Sequence, residues 1–188
     1  MERLIKLEKV CHHFHLSLQS GCTETLKRMN RKYTAEEFEK IVKLLREYYN
    51  DCILTTDIIV GFPGETTEEF EKTYKFLKEI KFYKMHIFKY SPRKGTKAEK
   101  FPNQIQGNIK DERSDKLLEL SDLNEKEYLD NLIEKELKVL FEEFDGEYFK
   151  GHTANYIMVK AKGENLENEI KTVKVMQTDK DCVLGTVI

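Results

Sequence analysis

The chain has 188 residues, 39% hydrophobic and 35% charged, with a formal net charge of -2. That balance excludes a disorder-dominated chain and allows one domain, or two small ones, with a buried core. Near-neutrality neither favours nor excludes nucleic acid, because a basic patch can be local.

No stretch is apolar enough for a transmembrane helix, and residues Met1–Lys9 lack the apolar core of a signal peptide. The expected location is cytoplasmic, with no membrane partner. The four cysteines, Cys11, Cys22, Cys52 and Cys182, are spaced too widely for a zinc knuckle or a compact iron–sulfur motif. Each is expected to be a reduced thiol. Cys22, among polar residues after a strand end, fits either a reactive group or a plain small residue.

In chain order, an apolar strand over about Phe14–Leu18 ends in Gln19-Ser20-Gly21. Thr34-Ala35-Glu36-Glu37 has capping-box spacing and opens a helix with Phe38, Ile41, Val42, Leu45 and Tyr49 on one face. Ile53–Val60 is nearly continuous apolar and β-branched, as a parallel strand buried on both faces requires. It ends in Gly61-Phe62-Pro63-Gly64. A second capping box, Thr66-Thr67-Glu68-Glu69, starts a helix with Phe70, Tyr74, Leu77 and Ile80 in phase. Met85–Tyr90 is a third strand. Three strands alternating with two helices predict consecutive βα units with right-handed crossovers.

Pro92, Gly95, Pro102 and Gly107 punctuate a long connection, which reads as a functional loop. A helix follows from about Ile109 through Leu117, Leu118, Leu120 and Leu123 toward Leu132. Beyond Asn131 the period becomes two, in residues 137–141, 156–159, 170–175 and 182–187, with a turn at Asp145-Gly146. This pattern predicts a small antiparallel β-barrel. The fold class expected is therefore α/β, with residues 1–130 a partial βα barrel and residues 131–188 the small barrel.

Candidate chemistry gathers at strand ends, where parallel α/β folds collect ligand-binding groups. Arg31 suits a ligand carboxylate, while Gln19 and Asp57 suit an ammonium or ribose hydroxyls. Arg31 and Asp57 fit equally well as surface or mutually paired charges. Gly61 and Gly64 permit close backbone approach to a ligand, or simply a sharp strand-to-helix turn. His12, His13 and His15 read as structural, and no metal ligand is expected in this chain.

The residues carry a resemblance. His13-Phe14-His15-Leu16-Ser17-Leu18-Gln19-Ser20-Gly21-Cys22, Thr25–Thr34, Thr56–Thr66, Tyr90–Thr96 and Lys110–Ser114 resemble the later half of the radical S-adenosylmethionine methylthiotransferases. Gly151-His152-Thr153-Ala154-Asn155-Tyr156 resembles that family's TRAM domain, a small RNA-holding barrel. The first run and residues 102–114 look most like the branch acting on threonylcarbamoyladenosine in tRNA. The resemblance implies methylthio insertion into an adenine carbon of the modified nucleoside beside the anticodon, with S-adenosylmethionine and two 4Fe-4S clusters as cofactors and tRNA as partner. It also implies that Gln19, Arg31, Asp57 and Gly61 bind S-adenosylmethionine, with Phe88 and Tyr90 on the strand flanking its adenine.

The family's Cys-x3-Cys-x2-Cys motif does not occur in the 188 residues. The expectation is a piece lacking the cluster ligands, inactive alone, whose further partner is the N-terminal portion of the enzyme. A reading from another class is a tRNA-docking or regulatory module without catalysis. From Lys84 to Lys110 the positive residues, Arg93, Lys94 and Lys97 among them, face only Glu99. Those three are the expected phosphate contacts. Acidic residues outnumber basic ones across residues 132–188, so an RNA role for the barrel rests on the resemblance; Tyr148, Phe149 and Tyr156 are candidate base-stacking rings.

Overall fold

The computed structural model describes Leu7 and residues 9–188; the expectation about a leader in residues 1–9 lies mostly outside them. The chain divides into two compact units. One comprises His15–Asn50 and Leu54–Asn124; the other comprises the described residues up to Phe14, Asp51–Ile53 and Glu125–Ile188.

The first unit is built on a three-stranded sheet of order β1-β2-β3, formed by β1 (His13–His15), β2 (Ile53–Val60) and β3 (Lys84–Lys89). β2 and β3 are parallel, with Asp57 opposite His86 and Ile59 opposite Phe88. β1 is shorter than expected. The chain beyond it still tracks β2, through Leu16 N to Thr55 O at 2.9 Å and a parallel bridge between Gln19 and Ile58.

Helices α1 (Thr23–Arg28), α2 (Ala35–Tyr48) and α3 (Thr67–Ile80) separate the strands. Both capping boxes expected from the sequence form. Thr34 and Glu37 satisfy each other's backbone N–H at the start of α2, as Thr66 and Glu69 do for α3. Val42, Leu45 and Tyr49 are buried, but Ile41 is 46% exposed because it flanks the 38-42-45-49 stripe rather than lying on it. The six-residue α1 was not predicted, since a polar helix this short carries no hydrophobic period.

β2 was expected to be buried on both faces. Leu54, Thr56, Ile58 and Val60 are buried, whereas Asp57 and Ile59 are only half-buried, and His86 and Phe88 opposite them are exposed. Ile53 and Thr55, on the same face as Asp57 and Ile59, are buried, so β2 is packed on both faces over its first half and that second face opens only toward its C-terminal end. Helix α4 (Gly107–Asp130) buries Arg113, Leu117 and Leu120 and leaves Leu118 and Leu123 exposed. Its Ser121 hydroxyl accepts the N–H of Met85 at 2.9 Å, and the Asn124 amide donates to Phe82 O. A helix side chain thereby satisfies a ladder donor on β3.

Strands β4 (Glu136–Phe144), β5 (Phe149–Thr153), β6 (Met158–Lys162), β7 (Ile170–Asp179) and β8 (Cys182–Val187) close a barrel of order β4-β5-β6-β8-β7. Four of its pairings are antiparallel, and β6 with β8 is parallel, which corrects the all-antiparallel expectation. β5 was not foreseen because Gly151, His152 and Thr153 weaken its alternation, and the next strand begins at Met158 rather than Tyr156. Gly151 has a physical reason. A Cβ there would lie 2.1 Å from Leu140 O, beside the bulge between Phe141 and Glu143. Val139, Phe141, Val159, Ala161, Val173, Val175 and Val183 fill the interior.

Candidate functional site

At the C-terminal ends of β2 and β3 the first unit holds a cleft of about 510 Å³, lined by Gln19, Asp57, Ile59, Phe88, Tyr90 and Arg93 among others. Gln19 is held in the left-handed region at φ 72, a conformation that is uncommon outside glycine. Its neighbours enforce it. Gln19 N donates to Asp57 O at 2.8 Å and Gln19 O accepts from Ile59 N at 2.9 Å, so the backbone is fixed to β2 on both sides. The residue is 7% exposed, and its side-chain amide has no partner among the described residues. Strain that the surroundings over-determine is a feature of ligand clamps.

The Asp57 carboxylate is oriented through one oxygen. Oδ2 lies 3.1 Å from His15 Nε2 and accepts from the Ser17 hydroxyl at 3.0 Å. Oδ1 has no hydrogen bond among the described residues. Tyr90 is fixed by its N–H to Val60 O and by the Lys110 ammonium, which donates to Tyr90 O at 2.8 Å and lies 5.4 Å from the ring centroid. Its ring meets Phe62 edge-on at 5.1 Å. The Tyr90 hydroxyl is buried without a hydrogen-bond partner.

The turn after β2 is held from beneath. Gly61 and Gly64 have φ of 70 and 78, and the buried Glu65 carboxylate accepts from Gly61 N at 2.7 Å and from the Arg113 guanidinium. Burial pushes the Glu65 carboxyl above its ordinary range, against the lowering pull of the Gly61 N–H and Arg113. A Cβ at Gly61 would meet the Lys110 stem at 2.4 Å. Gly61 therefore serves the turn geometry and does not line the cleft.

Of the residues singled out from sequence, Gln19, Asp57, Phe88, Tyr90 and Arg93 come together. Arg31 does not. It is exposed and is not among the cleft-lining residues; burial raises the phenol pKa of nearby Tyr33 against a smaller lowering pull from Arg31. The expected three-way convergence is thus met by Gln19 and Asp57 alone. Lys94 and Lys97 are exposed beyond the cleft, and like Arg93 they form no ion pair among the described residues. Sequence reasoning missed His15, Ser17 and His86 as neighbours of Asp57. Only the strand register brings them together, although the period-two spacing of His15 and Ser17 was a usable signal.

S-adenosylmethionine fits this donor set. An unpaired amide, a free carboxylate oxygen and the exposed Phe88 ring match an amino acid, a ribose and a purine. The cysteines do not fit a cluster. All four are free thiols, and no group of three converges among the described residues. Burial, with a hydrogen bond to Glu24, raises the pKa of Cys22, which argues for an inert thiol.

Residues 1–77 match the Radical SAM superfamily. The chain is 41% identical to the threonylcarbamoyladenosine tRNA methylthiotransferase MtaB of Bacillus subtilis, over 94% of this chain and 41% of that protein. It is 37% identical to the protein of that name from Thermotoga maritima, over 94% of this chain and 41% of the relative. To the tRNA-2-methylthio-N(6)-dimethylallyladenosine synthase of Caldicellulosiruptor saccharolyticus it is 37% identical, over 97% of this chain and 39% of the relative. The chain spans about two fifths of the length of these relatives. The chain thus carries a radical SAM superfamily match over residues 1–77 and is similar along nearly its full length to proteins named as tRNA methylthiotransferases.

Proposed function

We propose that the chain supplies the S-adenosylmethionine cleft and an RNA-holding barrel to a cytoplasmic enzyme that inserts a methylthio group into the modified adenosine beside the tRNA anticodon. Threonylcarbamoyladenosine is the preferred substrate, supported by the run His13–Cys22 and by the relatives that carry that name. Residues 1–130 form the cofactor-handling part and residues 131–188 the TRAM-like part. The observation that carries the reading is the meeting of a strained, unpaired Gln19 and an oriented Asp57 in one cleft with Phe88 and Tyr90.

Bound S-adenosylmethionine supplies radical and methyl chemistry when iron–sulfur clusters are present. The ligands of those clusters belong to the remainder of the enzyme. This chain's residues do the positioning. With the cofactor bound, Asp57 Oδ1 would accept from ribose hydroxyls and the Gln19 carbonyl oxygen from the ammonium of the amino acid. Phe88 and Tyr90 would flank the purine and shield it from water. His15 and Ser17 keep the carboxylate from turning away from the ribose.

Calorimetric titration of the chain with S-adenosylmethionine tests this. Asp57→Asn and Gln19→Ala are expected to weaken binding at least about tenfold, the equivalent of about 1.4 kcal/mol. Arg31→Ala should leave it unchanged, because Arg31 lies outside the cleft lining. Equal affinities for all the variants would remove the cofactor role from this cleft.

A further inference from the structure

We propose that His15, Asp57 and His86 form a binding site for a divalent first-row transition ion where the face of the sheet opens beside the cleft. The three side chains come from neighbouring strands, since His15 ends β1 and Asp57 on β2 is in register with His86 on β3. One ligand atom from each lies within 4.8 Å of the other two. Metal–nitrogen and metal–oxygen bonds of about 2.0–2.2 Å place donors roughly 3.0–3.5 Å apart around an ion. The His15 Nε2 to Asp57 Oδ2 separation, 3.1 Å, already has that value. His86 is exposed, its ring centroid is 5.8 Å from that of His15, and it has no hydrogen bond among the described residues. Rotation of this one free side chain brings in the third donor.

The outer partners also match. The Thr55 hydroxyl lies 3.0 Å from His15 Nδ1; when it accepts the Nδ1–H, Nε2 gives up its hydrogen bond to Asp57 Oδ2 and offers its lone pair to an ion between the two. The Ser17 hydroxyl donates to the carboxylate. A ligating imidazole whose second nitrogen is hydrogen-bonded, beside a hydrogen-bonded carboxylate, is the usual surrounding of a metal centre. Two imidazoles and one carboxylate select zinc, iron or cobalt over magnesium or calcium and leave coordination positions open. The site adjoins the cleft because Asp57 belongs to both, yet the two uses differ: Oδ2 faces the histidines, and Oδ1 remains for the cleft ligand.

The test is carried out on the whole chain, stripped with a chelator and without S-adenosylmethionine, so that its outcome is independent of the cofactor reading. Zinc is titrated calorimetrically, and cobalt by its visible ligand-field absorption. One equivalent of each is expected, with no heat from magnesium. His86→Ala and His15→Ala should each lower affinity at least about tenfold. His12→Ala, which removes a histidine paired with Asp51 elsewhere, should change nothing. Far-UV circular dichroism checks that each variant is folded, and His86→Gln serves if the alanine variant is not. Absence of stoichiometric binding, or binding that survives His86→Ala and is lost in His12→Ala, overturns the proposal.

Discussion

Two residues show opposite routes to a fixed polar side chain. Gln19 occupies a costly backbone conformation because two hydrogen bonds to β2 leave no alternative, and this keeps its amide at the cleft. Asp145 is held without strain. In the turn between β4 and β5 its carboxylate accepts from Tyr148 N at 2.8 Å and Glu147 N at 3.0 Å, and Gly146 takes φ 101. These N–H groups, with Lys150 beside them, lower its pKa from 3.8 to about 2. The folded state thus holds the charged form more tightly than the unfolded chain does, so the contribution is present above pH 3.8 and is lost as pH falls through about 2. Thermal melts from pH 6 to 2 should show the gap between wild type and Asp145→Ala narrowing across that window; a constant gap would mean that the turn is held by Gly146 alone. The Asp-Gly signal was legible in sequence because it is contained in two adjacent residues. The meeting of Asp57 with His15 and His86 was not, because it depends on strand register.

The same contrast holds among elements. α2 and α3 begin where Thr-x-x-Glu places them, since a capping box is complete within four residues. β5 escaped notice because its Gly151 answers to the Leu140 carbonyl of another strand, and a requirement of that kind leaves no periodic trace. The expectation that β2 is buried on both faces holds over Ile53–Thr56 and stops at Asp57 for a related reason. An apolar run reports what a strand can bury, and only its neighbours decide what it does bury. The α3 cap ties local and tertiary structure together, because Glu69 receives both the Thr66 N–H and the Arg28 guanidinium. Thr66→Ala removes the acceptor for Glu69 N and should destabilise the chain by about 1 kcal/mol. Denaturant melts measure this directly. A cost well below half of that would show that Glu69 and Arg28 hold the α3 start unaided.

For the molecule as a whole, near-zero net charge conceals an uneven distribution that bears on RNA. The closed barrel has few unpaired cations to offer. Lys150, Lys160, Lys162, Lys171 and Lys174 each lie within 4.0 Å of a carboxylate. Its candidate stacking ring, Tyr156, already lies against His13 and His152, with centroids 5.5 and 4.6 Å away. The connection after β3 is different. Arg93, Lys94 and Lys97 are exposed and have no ion-pair partner among the described residues, and Arg93 borders the cleft. A cation without a partner needs no ion pair broken before it meets a phosphate, so on the proposed function this connection, rather than the barrel, would be the electrostatic anchor for a tRNA stem. Replacing all three residues with alanine should weaken tRNA binding and lower the steepness of its salt dependence by about one unit for each phosphate no longer neutralised. The comparison requires affinities across a range of salt concentrations, with Lys162→Ala in the barrel as a control. If the triple variant retains the wild-type slope while the slope of the barrel variant falls, the barrel carries the electrostatic anchor and the connection serves only to frame the cleft.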